Sequence, residues 1–279
     1  ERPSDEEIEA RRQADADRLL SGLNEPQRAA VTHTGGPLLV VAGAGSGKTR
    51  VLTRRIAWMI SQYRVHPGSI LAITFTNKAA AEMRSRVEEY VGGRSRLMWV
   101  STFHSACVRI LRKEAQRFGY TSTFTIYDAA DSKRLMTQVC RDLELDPKRF
   151  PPRGVLNWVS NLKNELVDHE QAASKAHNDT ERAYALAYAA YQQRLRASNA
   201  MDFDDLIMMT VHLFQAFPDV ADVYRRRFRH VLVDEYQDTN HAQYTLIREL
   251  CTEPDADLLV VGDSDQSIYA FRGANIRNI

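Results

Sequence analysis

A chain of 279 residues with 44% apolar side chains, 26% charged ones and a net charge of +1 can bury one large core or two modest ones. Near-neutrality argues against a general affinity for polyanions, so any nucleic-acid site must come from local arrangement. No run of about 18 apolar residues and no signal-peptide pattern occurs, which leads to the expectation of a cytoplasmic protein with no membrane partner.

The three cysteines (Cys107, Cys140, Cys251) are far apart and form no C-x-x-C pair, so reduced, buried thiols are expected in place of disulfides or zinc ligands. The chain starts without methionine and stops soon after a dense motif, as part of a longer protein would.

Residues 1–20 carry seven acidic and four basic side chains, with Leu19-Leu20 the only substantial apolar contact. They read as a solvated helix or frayed tail without a function. Leu23 to Arg28 opens the folded part, with Asn24 as N-cap and Pro26 in the first turn. Gln27, in that turn, is either an exposed helix residue or an amide aimed at the N6/N7 edge of adenine.

Leu38-Leu39-Val40-Val41 reads as a buried strand. It breaks into Ala42-Gly43-Ala44-Gly45-Ser46-Gly47-Lys48-Thr49, after which Val51, Leu52, Ile56, Met59 and Ile60 cover one face of a helix. Strand, glycine loop and helix are the context of a phosphate-binding P-loop. The glycines let successive N–H groups curl around an anion, with the positive end of the helix dipole behind them. Lys48 then reaches the β- and γ-phosphates, and Thr49 places its hydroxyl on Mg²⁺. Ala42 stands where the strict pattern asks for glycine.

Ile70 to Ile73 is a second strand, ending in Thr74-Phe75-Thr76-Asn77-Lys78 and followed by a helix that Gly92-Gly93 closes. Met98 to Val100 is a third strand, ending in Ser101-Thr102-Phe103-His104, and Phe124 to Tyr127 a fourth. Residues 128–200 read as all-helical. Their stripes are Leu135/Met136/Val139/Leu143, Val155/Leu156/Val159/Leu162 and Leu186/Tyr188/Tyr191/Leu195, and their charge is too balanced for a basic patch. A helix from Asp202 to Phe214 follows. Val231 to Val233 then ends in Asp234-Glu235, and Leu258 to Val261 ends in Gly262-Asp263.

Each strong strand thus ends in polar or glycine residues. Strands joined by helices imply a parallel sheet, whose ligand crevice lies at its carboxyl edge. The expected fold is α/β: a P-loop parallel sheet with helices on both faces, interrupted by a helical insertion. On the rim, Asp234 suits Mg²⁺, usually through water, and Glu235 suits a base for the attacking water. Gln266 is a neutral side chain fit to sense the γ-phosphate. Phe75, Phe203, Tyr269 and Phe271 sit beside polar residues. Taken singly each is a core residue, and together, with Arg272 adjacent, they form a stacking surface for successive bases.

Gln27, the Ala42–Thr49 loop, Thr74 to Ala80, Ser101 to Ser105, Asp202-Phe203-Asp204-Asp205-Leu206, Asp234-Glu235-Tyr236-Gln237-Asp238 and Gly262 to Tyr269 occur in that order. From about Leu20 onward the chain closely resembles the first half of bacterial superfamily 1 DNA helicases of the UvrD/PcrA/Rep type. The resemblance implies a RecA-like motor lobe at 21–127 and 201–279, a helical insertion at 128–200 and an acidic extension at 1–20. It implies ATP and Mg²⁺ as cofactors, 3′-to-5′ translocation on single-stranded DNA, unwinding at duplex junctions, and work in repair or replication. Repair or transcription proteins are implied as partners, and a nucleoid-associated location.

Carried over by residue, it makes Gln27 the adenine reader and Ala42, Gly43, Ala44, Gly45, Ser46, Gly47, Lys48 and Thr49 the phosphate and Mg²⁺ loop. Asp234 and Glu235 become the metal and water residues, and Gln266 couples the γ-phosphate to DNA. Phe75, Asn77, His104, Phe203, Tyr269, Phe271 and Arg272 face the DNA. Many relatives have tryptophan where Phe271 stands, which implies a weaker stack. The family's second RecA-like lobe is not among these residues, so this chain alone is expected to be inactive or very slow. A helicase–nuclease motor shares the same motifs. A nucleotide-gated single-strand-binding module without turnover is the alternative from another class.

Overall fold

The computed structural model describes residues 3–253 and 255–263, so the expectations for Gln266, Tyr269, Phe271 and Arg272 lie outside the described residues. In chain order the strands are β1 (Leu38–Ala42), β2 (Ile70–Thr74), β3 (Trp99–Thr102), β4 (Thr125–Tyr127), β5 (Ala200–Asp202), β6 (His230–Val233) and β7 (Asp257–Asp263). The chain divides into two compact units. One holds Glu1–Phe103, Asp222–Thr239 and Leu250–Ile279; the other holds His104–Ala221 and Asn240–Glu249. This division falls at 103/104 and 221/222, whereas the sequence reading drew its boundaries at 127/128 and 200/201.

The first unit is an α/β layer around a parallel sheet in the order β1-β7-β6-β2-β3. Parallel neighbours need crossovers, and the helices Lys48–Ser61 and Asn77–Val91 supply two of them. Leu52, Ile56 and Met59 of the first helix and Met83 and Val87 of the second bury against Ile70, Ala72, Val100, Leu232 and Leu259. The central strands β2 and β6 are covered on both faces, which is why they read as unbroken apolar runs.

β1 departs from the expected buried strand. Among the described residues it has one neighbour, and Leu39 and Val41 are 42% and 45% exposed while Leu38 and Val40 pack on the core. An apolar run looks the same at an edge as at the centre, so its composition could not tell the two apart.

The acidic N-terminal stretch is a docked helix, Asp5–Leu20. Ser4 and Glu7 close a capping box, and Asp5, Glu6 and Glu7 complement the positive end of the dipole. Leu19 enters the core, and Arg18 donates to the Glu89 carbonyl at 2.6 Å while lying over the Tyr90 ring.

In the second unit, β4 and β5 pair in parallel as a separate small sheet, with Thr125 opposite Ala200 and Tyr127 opposite Asp202. The expected fourth strand therefore exists but is not part of the large sheet. β5 was not anticipated: three residues carry no periodicity, and its partner lies far away in the chain. Helices Ala129–Asp142, Pro152–Asn164 and Asp179–Ala197 enclose Met136, Val139, Val155, Val159, Tyr188, Tyr191 and Leu195. Leu186, assigned to the third stripe, is 62% exposed, and its neighbour Ala185 takes the buried position.

Candidate functional site

β1 ends at Ala42, and residues 43–47 turn the chain into the helix Lys48–Ser61. The Ser46 N–H donates to the Gly43 carbonyl at 3.2 Å and closes the loop. Gly45 and Gly47 have φ of +75° and +82°, in the left-handed region where a Cβ is strained. Gly47 is the N-cap and offers no side-chain cap, so no capping side chain takes up the first-turn N–H groups, which stay available to an anion.

Gln27 sits against this loop. Its Nε2 donates to the Ser46 carbonyl at 3.0 Å, and its Oε1 accepts the Asn24 N–H at 3.0 Å within the predicted N-cap. The amide is tied to the loop, and an adenine edge would have to take over the Ser46 bond.

The acids follow β6. The Asp234 N–H donates to the Ile73 carbonyl at 3.0 Å, which extends the ladder by one residue, and its Oδ1 accepts the Glu235 N–H at 2.9 Å. Burial, together with the adjacent Glu235 charge, pushes the Asp234 carboxyl above the usual range, while Lys48 and the Glu235 N–H oppose it. Glu235 has φ of +50°, a left-handed backbone at a non-glycine residue. Such strain costs about 1–3 kcal/mol and gathers at working sites.

β7 lies between β1 and β6, and its last residue joins the two sides. Lys48 Nζ is 3.6 Å from Asp263 Oδ2. The Asp263 N–H donates to Gln237 Oε1 at 3.0 Å, and Gln237 Nε2 donates to Glu235 Oε2. An ion pair at Lys48 and two hydrogen bonds through Gln237 thus run from the loop lysine, by way of Asp263, to the candidate base. The cavity above it, about 540 Å³, is lined by Gly47, Lys48, Glu235, Gln237 and Asp263, with Arg86 from the helix Asn77–Val91. A larger cavity of about 740 Å³ lies within the second unit and holds none of the predicted site residues.

Asp263, Gln237 and Arg86 were given no role from sequence. Asp263 ends a strand as Asp234 does, so the rim pattern could have found it. Gln237 follows the two acids closely. Arg86 has no local signal; only packing brings it to the cleft.

Thr49 is exposed in the first helical turn, and Asp234 is a buried carboxylate. Two hard oxygen donors beside a phosphate loop fit Mg²⁺, which keeps several waters and shares phosphate oxygens. Among the described residues no group of three or more His, Cys, Asp or Glu side chains could hold a metal without such help.

The candidate DNA-facing residues fall into two groups. In the first unit Phe75 is half-buried and meets Phe103 edge-on at 5.7 Å, and Asn77 is exposed at the start of its helix. In the second unit Phe203 is 48% exposed and meets His104 edge-on at 6.1 Å. Burial holds His104 below its ordinary pKa, so the ring is neutral at pH 7. Phe203 follows β5, not a strand of the large sheet, which corrects the expectation of aromatics along a single rim.

The family model described as the UvrD/REP helicase N-terminal domain matches residues 23–279. ATP-dependent DNA helicase UvrD1 of Mycobacterium tuberculosis is 63% identical over 274 residues, covering 95% of this chain and 36% of that protein. UvrD1 of Mycobacterium leprae is 57% identical over 285 residues, with 97% and 37% covered. ATP-dependent DNA helicase PcrA of Bacillus subtilis is 50% identical over 264 residues, with 95% and 36% covered. The chain spans a little over a third of the length of these curated relatives.

Proposed function

The chain belongs to the UvrD/REP helicase N-terminal domain family, and from that premise we propose that it is the first motor lobe of an ATP-dependent DNA helicase. The whole protein would move 3′-to-5′ on single-stranded DNA, open duplex junctions, and serve repair or replication in the cytoplasm at the nucleoid. The observation that carries the reading is the shared cleft in which Lys48, on a glycine loop, faces the strand-end acids.

The chemistry follows from these residues. Backbone N–H groups of the loop and helix start receive the phosphates, and Lys48 exchanges Asp263 for phosphate oxygens. A partly exposed pair at 3.6 Å is weak, so that exchange costs little. Thr49 and Asp234 would hold Mg²⁺, which when bound neutralises charge on the phosphates. Glu235 takes the proton of the attacking water, and Gln237 keeps its carboxylate in place. Gln237, anchored to the Asp263 backbone N–H, holds Glu235 in place beside the residue whose carboxylate meets Lys48.

Translocation needs two lobes closing on nucleotide, and a cation from the opposite wall contributes on the order of 10³–10⁵ in rate in P-loop enzymes. We assign both to a second lobe beyond residue 279. The test compares this chain with one that extends through such a lobe, in ATP turnover with and without single-stranded DNA and in strand separation on a 3′-tailed duplex. DNA-stimulated hydrolysis and unwinding are expected from the longer chain only. Nucleotide and DNA binding without turnover in the longer chain would make the protein a gated binding module instead.

A further inference from the structure

We propose that Lys163 is a positioning residue for DNA binding: it clamps the two acids that start the Phe203 helix and thereby aims the exposed Phe203 ring. The proposal rests on the reading of Phe203 as a base-stacking residue.

The helix Phe203–Ala216 begins with a reciprocal capping box made of two acids. Asp202 Oδ1 accepts the Asp205 N–H at 2.8 Å, and Asp205 Oδ2 accepts the Asp202 N–H at 3.2 Å. Two carboxylates this close repel unless a cation lies between them. Lys163, from the helix Pro152–Asn164, provides it, with Nζ 2.9 Å from both Asp202 Oδ2 and Asp205 Oδ1. The Tyr191 hydroxyl donates to Asp202 Oδ2 at 2.8 Å, and Gln192 Nε2 donates to Asp205 Oδ1 at 3.1 Å. The three charged side chains are only 0%, 7% and 2% exposed. Burial alone would lower Lys163, but the two acids raise it well above its ordinary value; burial would raise Asp202, and Lys163 outweighs it. Burial and the Asp202 charge push Asp205 up to about 6, against the pull of Lys163, so it is the lysine that keeps the two acids together.

Capping does not require this. A Ser-x-x-Glu box satisfies the same two N–H groups without burying any ion, and desolvating three charges is costly enough that apolar replacements are often no worse for stability. What the clamp adds is a single geometry for the first helical turn. Phe203 is the residue directly after Asp202, and its ring is half-exposed, with His104 edge-on beside it. A ring without a packed seat takes its direction from its backbone. Here that backbone is tied on both sides of Phe203 to a lysine 39 positions before Asp202.

The test uses the whole encoded protein and an oligothymidylate carrying one 2-aminopurine, titrated well below the melting temperature. Phe203→Ala should weaken binding about 5- to 150-fold, the usual value of one base–aromatic stack. Lys163→Met should weaken it to a similar degree and reduce the quench of 2-aminopurine. The double variant should be no weaker than Phe203→Ala, and nucleotide affinity should stay unchanged in all three. If Lys163→Met does not fold, Tyr191→Phe, which removes a single bond to Asp202, should give a smaller loss that is also absorbed by Phe203→Ala. A loss that adds to that of Phe203→Ala, or a folded Lys163→Met with wild-type affinity, would overturn the clamp. Unchanged binding in Phe203→Ala would overturn the stacking reading itself, and the clamp with it.

Discussion

Two lysines, one in each unit, face aspartates in opposite ways. Lys48 meets one carboxylate at 3.6 Å in an open cleft, with both side chains 12% exposed. Lys163 meets two at 2.9 Å with no exposure at all. The first pair can be exchanged: water and phosphate reach it, and losing the aspartate costs little. The second is permanent, because separating buried charges leaves them unsolvated. A lysine that must release its partner each time a ligand enters belongs at the surface of a cleft. One that sets a backbone belongs in the core.

The largest expected effect that separates them is on turnover. Lys48→Ala should bring nucleotide hydrolysis by the whole protein to background and leave the fold intact, since the side chain supports no apolar packing. A phosphate-release assay beside a circular dichroism melt checks both halves, and wild-type turnover would remove Lys48 from the site. Next, Glu235→Gln should slow hydrolysis about 10²–10⁴-fold while keeping nucleotide affinity, because it loses the base but not its shape. Failure to bind nucleotide would make Glu235 a ligand-holding residue.

On stability the order reverses. Lys163→Met should cost about 3–5 kcal/mol in urea unfolding, the usual penalty for orphaning buried charge. Lys48→Ala should stay within about 0.5 kcal/mol. Equal losses would erase the distinction. Phe203→Ala should cost about 1–3 kcal/mol in affinity for single-stranded DNA, with the same salt slope, since no phosphate contact is lost. Smallest of all, Asp263→Asn should raise nucleotide affinity by a few-fold, because a carboxylate 3.6 Å away no longer competes with phosphate for Lys48. Isothermal titration would detect it, and a weaker-binding variant would show that Asp263 helps to hold the ligand.

Much of this contrast could be read only in part before the fold was known. The glycine loop, the strand-end acids and the Asn24 cap are each built from residues a few positions apart, and turn chemistry writes such features into adjacent positions. Asp202 and Asp205 were visible as part of a motif. Lys163 was not, because nothing in a helix marks one lysine as the buried one.

Local sequence was enough for the parallel α/β architecture, the glycine loop between β1 and its helix, and the family. Each depends on periodicity, glycine conformation or residue order over short spans. Tertiary structure alone decided that β1 is an edge strand with Leu39 and Val41 exposed, and that Thr125–Tyr127 pairs with Ala200–Asp202 outside the large sheet. It also decided that Asp263 and Gln237 connect Lys48 to Glu235. Apart from the local Gln237–Glu235 bond, these are pairings between residues distant in the chain, and their partners are chosen by the burial of whole elements, which no short window of sequence contains.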